Sequence, residues 1–204
     1  MQMKLAIIGA GHVGSALGQG WAKAGHDVRY GTRAPAASDH LTPSAAAAWG
    51  AVVVLALPWS AAEAVVAGLG SLSGKIVIDC MNPIARMPEG IGLALGQNTS
   101  GGEQVQSWLP EARVVKTLNQ VGAEIMADTS GFPVPPVQFM AGNDDKAKQV
   151  VAALLTDLGF DPLDAGDLTK ARLLEPFALT WINQALMRGK GRDWAFGAML
   201  RAGQ

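Results

Sequence analysis

The run Lys4-Leu5-Ala6-Ile7-Ile8 leads directly into Gly9-Ala10-Gly11-His12-Val13-Gly14, and after it Val13, Ala16, Leu17, Gly20, Trp21 and Ala24 recur at helical spacing. An apolar strand, a G-x-G-x-x-G turn and a helix, in that order, leave few folds open. In this context the pattern has a mechanism: the first glycine makes the turn, the second lets backbone approach a pyrophosphate, and the third lets helix pack on strand. The helix N-terminus then faces the phosphates.

The same strand and helix alternation continues along the chain. Further strands are predicted at 27–31, 51–57, 75–79, 113–117, 137–141 and 161–164. Helices are predicted from Trp59-Ser60, over 103–109, from Gly122, and from Asn143 or Asp144 to Gly159, the last with Ala147, Val150, Val151, Leu154, Leu155 and Leu158 on one face. Nearly continuous apolar strands suit a parallel sheet covered on both faces. The fold class is therefore α/β, a Rossmann-type doubly wound, mainly parallel sheet. Residues 1–168 are expected to form the dinucleotide-binding Rossmann domain, and 169–204 a C-terminal helical extension and tail. In that extension Leu173, Leu174, Phe177, Trp181, Ile182 and Leu186 make a broad apolar face, Pro176 starts or kinks the main helix, and the glycines of GKG form a hinge.

With 204 residues the chain suffices for one substantial core. Its 49% hydrophobic and 16% charged composition argues against disorder and for a large buried interior or subunit interface, and a homodimer is expected. A net charge of −1 with scattered Lys and Arg gives no footprint for nucleic acid or anionic lipid. No apolar run approaches the roughly 18 residues of a membrane span, and the single cysteine, Cys80, has no intrachain partner. A cytoplasmic protein is expected.

The stretch Arg29-Tyr30-Gly31-Thr32-Arg33 occupies the end of the second strand, where an NAD-binding chain would carry an acid for the ribose hydroxyls. Removing the acid and supplying Thr32 and Arg33 inverts that preference toward a 2′-phosphate, which a guanidinium can engage in a fork. Such a charge-assisted contact contributes about 1.5–3 kcal/mol. Arg29, along the strand, reads as a surface residue.

The remaining polar residues form no acid–base constellation of the kind that alcohol or keto-acid chemistry needs. His12 sits in the phosphate turn, His26 and His40 read as surface loop residues, and Lys116 and Lys170 read as solvated. The strand ends carry Leu57-Pro58-Trp59, Cys80-Met81-Asn82-Pro83 and Thr117-Leu118-Asn119-Gln120. These neutral, amide-bearing loops suit a flat heteroaromatic ring system, or else Asn82 and Asn119 only cap turns.

Across nearly its whole length the sequence resembles the NADPH-dependent oxidoreductases of deazaflavin coenzyme F420, which are similar to the cytoplasmic domain of the six-transmembrane metalloreductases. The resemblance rests on IIGAGHVGSAL, YGTR, VVLALPW, VVKTLNQVGAEIM, FMAGNDDKAKQVV and LGFDPLDAGDLTKARLLEPFALTW. It implies that Gly9, Ala10, Gly11, His12, Val13 and Gly14 hold the pyrophosphate and that Thr32 and Arg33 hold the 2′-phosphate. It further implies that Leu57, Pro58, Trp59, Asn82, Pro83 and Asn119 line the ring site, with NADP(H) as cofactor and no catalytic acid or base. The implied reaction is direct hydride exchange between nicotinamide and a second ring. The loops CMNPI and LNQVG are closer to the flavin-using metalloreductases than to the archaeal enzymes, so F420 and a free flavin (FMN or FAD) both stand as the second cofactor-substrate. An NADPH-sensing module without turnover, and a short dehydrogenase or imine reductase, are the competing readings.

Overall fold

Strand β1 (Lys4–Ile8) sends Leu5 and Ile7 to one face and Ala6 and Ile8 to the other, and all four are fully buried. Both faces of this strand are therefore core, which is why its sequence is apolar without alternation. The computed structural model describes residues 2–201. β1 lies within an eight-stranded sheet of order β10-β9-β8-β5-β4-β1-β2-β3, built from β2 (Asp27–Gly31), β3 (His40–Leu41), β4 (Val52–Leu55), β5 (Ile76–Asp79), β8 (Arg113–Lys116), β9 (Val137–Gly142) and β10 (Asp161–Gly166). Every pairing is parallel except that of β8 with β9. The last two strands thus run against the other six.

One face is covered by α1 (His12–Lys23), α5 (Ala123–Ala127) and α6 (Asp145–Asp157), whose Leu17, Trp21, Ile125, Val151 and Leu155 pack on Ile7, Val54 and Ile78. The indole of Trp21 donates a buried 2.9 Å hydrogen bond to the Leu154 carbonyl, tying α1 to α6. The other face carries α2 (Pro43–Trp49), α3 (Trp59–Ala67) and α4 (Gly101–Trp108), with Ala46, Val66 and Val105 against Ile8, Leu55 and Val77. Helix starts follow their capping residues: Thr42, Ser100 and Asp144 each accept a backbone N–H three residues on.

Several features depart from the sequence expectations. The two-residue edge strand β3 and the antiparallel hairpin of β6 (Ile84–Met87) and β7 (Gly90–Leu93) were not foreseen. Helix α7 (Ala171–Ile182) contains Pro176 in its interior and does not begin there. His26 is no surface residue: it is 8% exposed, accepts the Met3 N–H at Nδ1 (3.2 Å) and meets the Asp157 carboxylate at Nε2 (3.0 Å). His40 is half-buried on β3, edge-on to Tyr30 at 5.4 Å between ring centroids.

Beyond α7 a wide π turn (Asn183–Met187) leads to Gly189 and Gly191, both at positive φ, where the GKG stretch turns the chain. Trp194 then stacks on Trp181 at 5.8 Å, and the Phe196 carbonyl accepts the Val137 N–H (2.8 Å) at the start of β9. Among the described residues no helix is long and apolar enough to cross a membrane.

Candidate functional site

The three glycines of the turn sit in three different surroundings. Gly9 has φ +107°, and a Cβ there would lie 2.4 Å from the Ala56 carbonyl oxygen. A Cβ at Gly14 would lie 1.9 Å from the Gly9 carbonyl oxygen, so the helix can approach the strand only without a side chain. At Gly11 a Cβ would meet nothing within 4 Å. Its lack of a side chain serves no internal packing, and it leaves backbone open to a group approaching from outside. Gly11 is also the N-cap of α1, with no side-chain cap on the helix, so the first-turn N–H groups remain available to an anion. His12 and Ala10 are exposed at this rim, while Val13 turns toward the core.

Across the carboxyl edge from this turn, the N–H of Thr32 donates to the Leu41 carbonyl (2.9 Å), so the unforeseen strand β3 fixes the residue. Thr32 Oγ1 is closed off from water and has no hydrogen-bond partner among the described residues. Buried hydroxyls are normally satisfied, and a phosphate oxygen would supply the missing acceptor. Arg33 is exposed and makes no ion pair among the described residues. Arg29 instead lies over the Trp49 ring at 4.7 Å. Gly9, Gly11, Thr32, Arg33, Leu57 and Pro58 line one cavity of about 520 Å³. The turn, the Thr-Arg pair and the first strand-end loop are therefore brought together as one groove, and its donors fit a dinucleotide with a 2′-phosphate.

Ala10 lines that cavity as well, whereas the predicted strand-end positions Trp59, Asn82, Pro83 and Asn119 lie outside it. Trp59 opens α3 and stacks on Trp108 of α4 at 5.4 Å. Pro83 is buried close to Gly101. Asn82 and Asn119 form a reciprocal pair: Asn82 Nδ2 donates to the Asn119 carbonyl (2.7 Å) and Asn119 Nδ2 donates to Asn82 Oδ1 (2.9 Å). The Asn119 side chain is further committed to the Leu174 carbonyl (3.3 Å) and to Gln120 Nε2 (2.9 Å). Asn82 is less buried and uses one donor and one acceptor position in this pair, leaving its amide capacity for a further donor and acceptor contact.

Sequence reasoning missed the most strongly charged feature of this edge. Lys116 is completely buried rather than solvated, 3.0 Å from Asp79 and 3.2 Å from Glu175, themselves 0% and 1% exposed. Burial acts to lower the Lys116 pKa, but the Asp79 and Glu175 carboxylates overcome it and hold the ammonium above its usual value. Lys116 Nζ also donates to the Met81 carbonyl, and Asp79 Oδ1 accepts the Met81 N–H (2.9 Å). Glu175 accepts the N–H groups of Gly101 and Gly102 at the N-terminus of α4 (2.9 and 3.1 Å). The available signal was weak: an ionisable residue ending each of two apolar strands, and a glutamate inside the apolar run LLEPF. Next to the triad, Leu118 has φ 58° while fully buried, a left-handed conformation that costs a non-glycine residue about 1–3 kcal/mol. Burial foremost, and then the adjacent Asp79, push the Cys80 thiol up, so it stays protonated and unreactive at neutral pH.

Residues 4–83 match the protein family described as NADP oxidoreductase, coenzyme F420-dependent. The crystal structure of an Arthrobacter sp. FB24 protein provisionally assigned as an F420-dependent NADP reductase superposes with a TM-score of 0.87 at 33% identity, covering 97% of this chain and 100% of that one. The metalloreductase STEAP3 of Rattus norvegicus is 27% identical over 184 residues, 86% of this chain, and the chain spans only 36% of that protein's length. A reductive aminase of Aspergillus terreus, solved with NADPH, shares the fold at a TM-score of 0.67 and 20% identity, covering 93% of this chain and 64% of that one.

Proposed function

The chain belongs to the family of coenzyme F420-dependent NADP oxidoreductases, and from that premise we propose that it transfers a hydride between NADP(H) and a deazaflavin or flavin ring. The observation that carries the nucleotide part is the groove uniting the open Gly11 backbone with the Thr32 hydroxyl and the Arg33 guanidinium, the first without a hydrogen-bond partner and the second without an ion pair among the described residues. NADPH, when bound, supplies the hydride. The residues of this chain bind and orient. First-turn amides of α1 hold the pyrophosphate, Thr32 and Arg33 hold the 2′-phosphate, and Leu57 and Pro58 lead along the edge toward Asn82. The free donor and acceptor capacity of Asn82 matches a carboxamide. Exchange between two stacked rings depends on alignment more than on proton transfer, and positioning of this kind is the larger part of such catalysis. Asp79 and Lys116, which bond the neighbouring Met81, are committed with Glu175 to one another, which suits a reaction without an acid or base.

The same reading places the protein in the cytoplasm as a homodimer. A lone buried thiol is consistent with the first, and Leu173, Leu186 and Met187, exposed on α7 and the π turn, with the second.

Oxidation of NADPH, followed by its absorbance with F420, FMN and FAD supplied in turn, tests the proposal. Turnover is expected with at least one of the three. NADPH binding without turnover on any of them would replace the reductase with a dinucleotide-sensing module.

A further inference from the structure

We propose that the buried Asp79–Lys116–Glu175 triad is a positioning device for the nicotinamide half of the dinucleotide, acting through Met81 and the Asn82–Asn119 pair. The proposal rests on the NADP(H) reading above. Its basis is connectivity. Lys116 Nζ holds the Met81 carbonyl and Asp79 Oδ1 holds the Met81 N–H, so both peptide units flanking Met81 are fixed from below. The next residue is Asn82, whose amide is clasped by Asn119. Glu175 links the same ammonium to the Gly101 and Gly102 amides, and Leu174, its neighbour on α7, accepts from Asn119 Nδ2. One charge cluster therefore joins the carboxyl ends of β5 and β8, the start of α4, and α7.

A buried ion cluster is an expensive way to hold a fold together, since apolar residues of similar volume often serve stability equally well. What it provides here is fixed direction. Hydrogen bonds from a single ammonium set the orientation of one loop peptide, and the strained Leu118 backbone beside it persists only in surroundings that over-determine it. Among the described residues the adenosine end has no such link: Thr32 is held by β3 at the edge of the sheet, and Arg33 makes no ion pair. Loosening the triad should therefore act on one half of the ligand and spare the other.

In Glu175→Gln an amide N–H₂ replaces a carboxylate oxygen among groups that are all donors, the Gly101 and Gly102 N–H and Lys116 Nζ. Binding of NADPH and of 2′,5′-ADP, which carries the 2′-phosphate but no nicotinamide, is measured by calorimetry on the native chain and the variant. NADPH affinity should fall about tenfold, while 2′,5′-ADP affinity should stay within about twofold. Equal losses for both ligands, or no loss for either, would overturn the proposal. Should Glu175→Gln not fold, the double variant Asp79→Asn with Lys116→Met removes one charge of each sign and leaves Glu175 on the helix amides; the same selective loss is expected. Failure of both variants to fold would make the triad a folding determinant and overturn the positioning role. Absence of 2′,5′-ADP binding to the native chain would instead refute the nucleotide reading on which the proposal rests.

Discussion

Alanine at Gly14 should abolish tight binding of NADPH and NADH alike and should also weaken the fold. The new Cβ would sit 1.9 Å from the Gly9 carbonyl oxygen, a backbone atom that cannot swing aside as a flexible side chain would. Gly9 is itself confined: its φ is +107°, its N–H donates to the Gly31 carbonyl (3.0 Å), and its own Cβ position faces Ala56. Relief requires α1 to move away from β1, which costs about 1–3 kcal/mol in overpacking and displaced core contacts. That movement carries the first-turn amides off the pyrophosphate, and each hydrogen bond lost to a charged phosphate costs about 1.5–3 kcal/mol, or about 10–100-fold in affinity. Gly11→Ala is the contrast. Its Cβ meets nothing in the protein, and its φ of −75° and ψ of −170° are open to alanine. The thermal midpoint should hold while affinity for both dinucleotides falls. Thermal unfolding and calorimetric titration of the two variants separate the roles; a Gly11→Ala chain that binds NADPH normally would show that the pyrophosphate lies elsewhere.

Arg33→Ala should weaken NADPH binding by about 10–100-fold, the range set by about 1.5–3 kcal/mol for one charge-assisted contact, and leave NADH almost unchanged. The argument turns on what Arg33 does without ligand. It is exposed and makes no ion pair among the described residues, so truncation breaks nothing internal and leaves no buried charge behind. The effect should therefore be confined to the 2′-phosphate, with no change in the thermal midpoint. Calorimetric titration of native and variant chains with each cofactor checks this. Equal losses for NADPH and NADH would remove Arg33 from the phosphate site.

The glycine turn and the groove it shares with Thr32 and Arg33 were legible because they are local. Strand, glycine turn, helix and second strand lie within residues 4–33, and Thr32 and Arg33 follow that second strand directly. The apolar strands were equally plain, since burial on both faces leaves nothing polar to interrupt them. The reversal of β9 and β10 was not legible, because an apolar strand reads the same in either direction. The β6–β7 hairpin escaped because its strands are short and its residues largely exposed, so period and apolarity fade together. Lys116 was misread for a different reason. A lysine ending a strand is usually solvated, and only the fold brings Asp79 from β5 and Glu175 from α7 to its ammonium. His26 shows the same limit, since its partner Asp157 arrives from α6.

Titration of the native chain with NADPH and with NADH, each followed by nicotinamide fluorescence under one buffer condition, tests the central claim most directly. The groove formed by the glycine turn, Thr32 and Arg33 predicts NADPH binding tighter than NADH by about 10–100-fold. Equal affinities, or tighter binding of NADH, would contradict it.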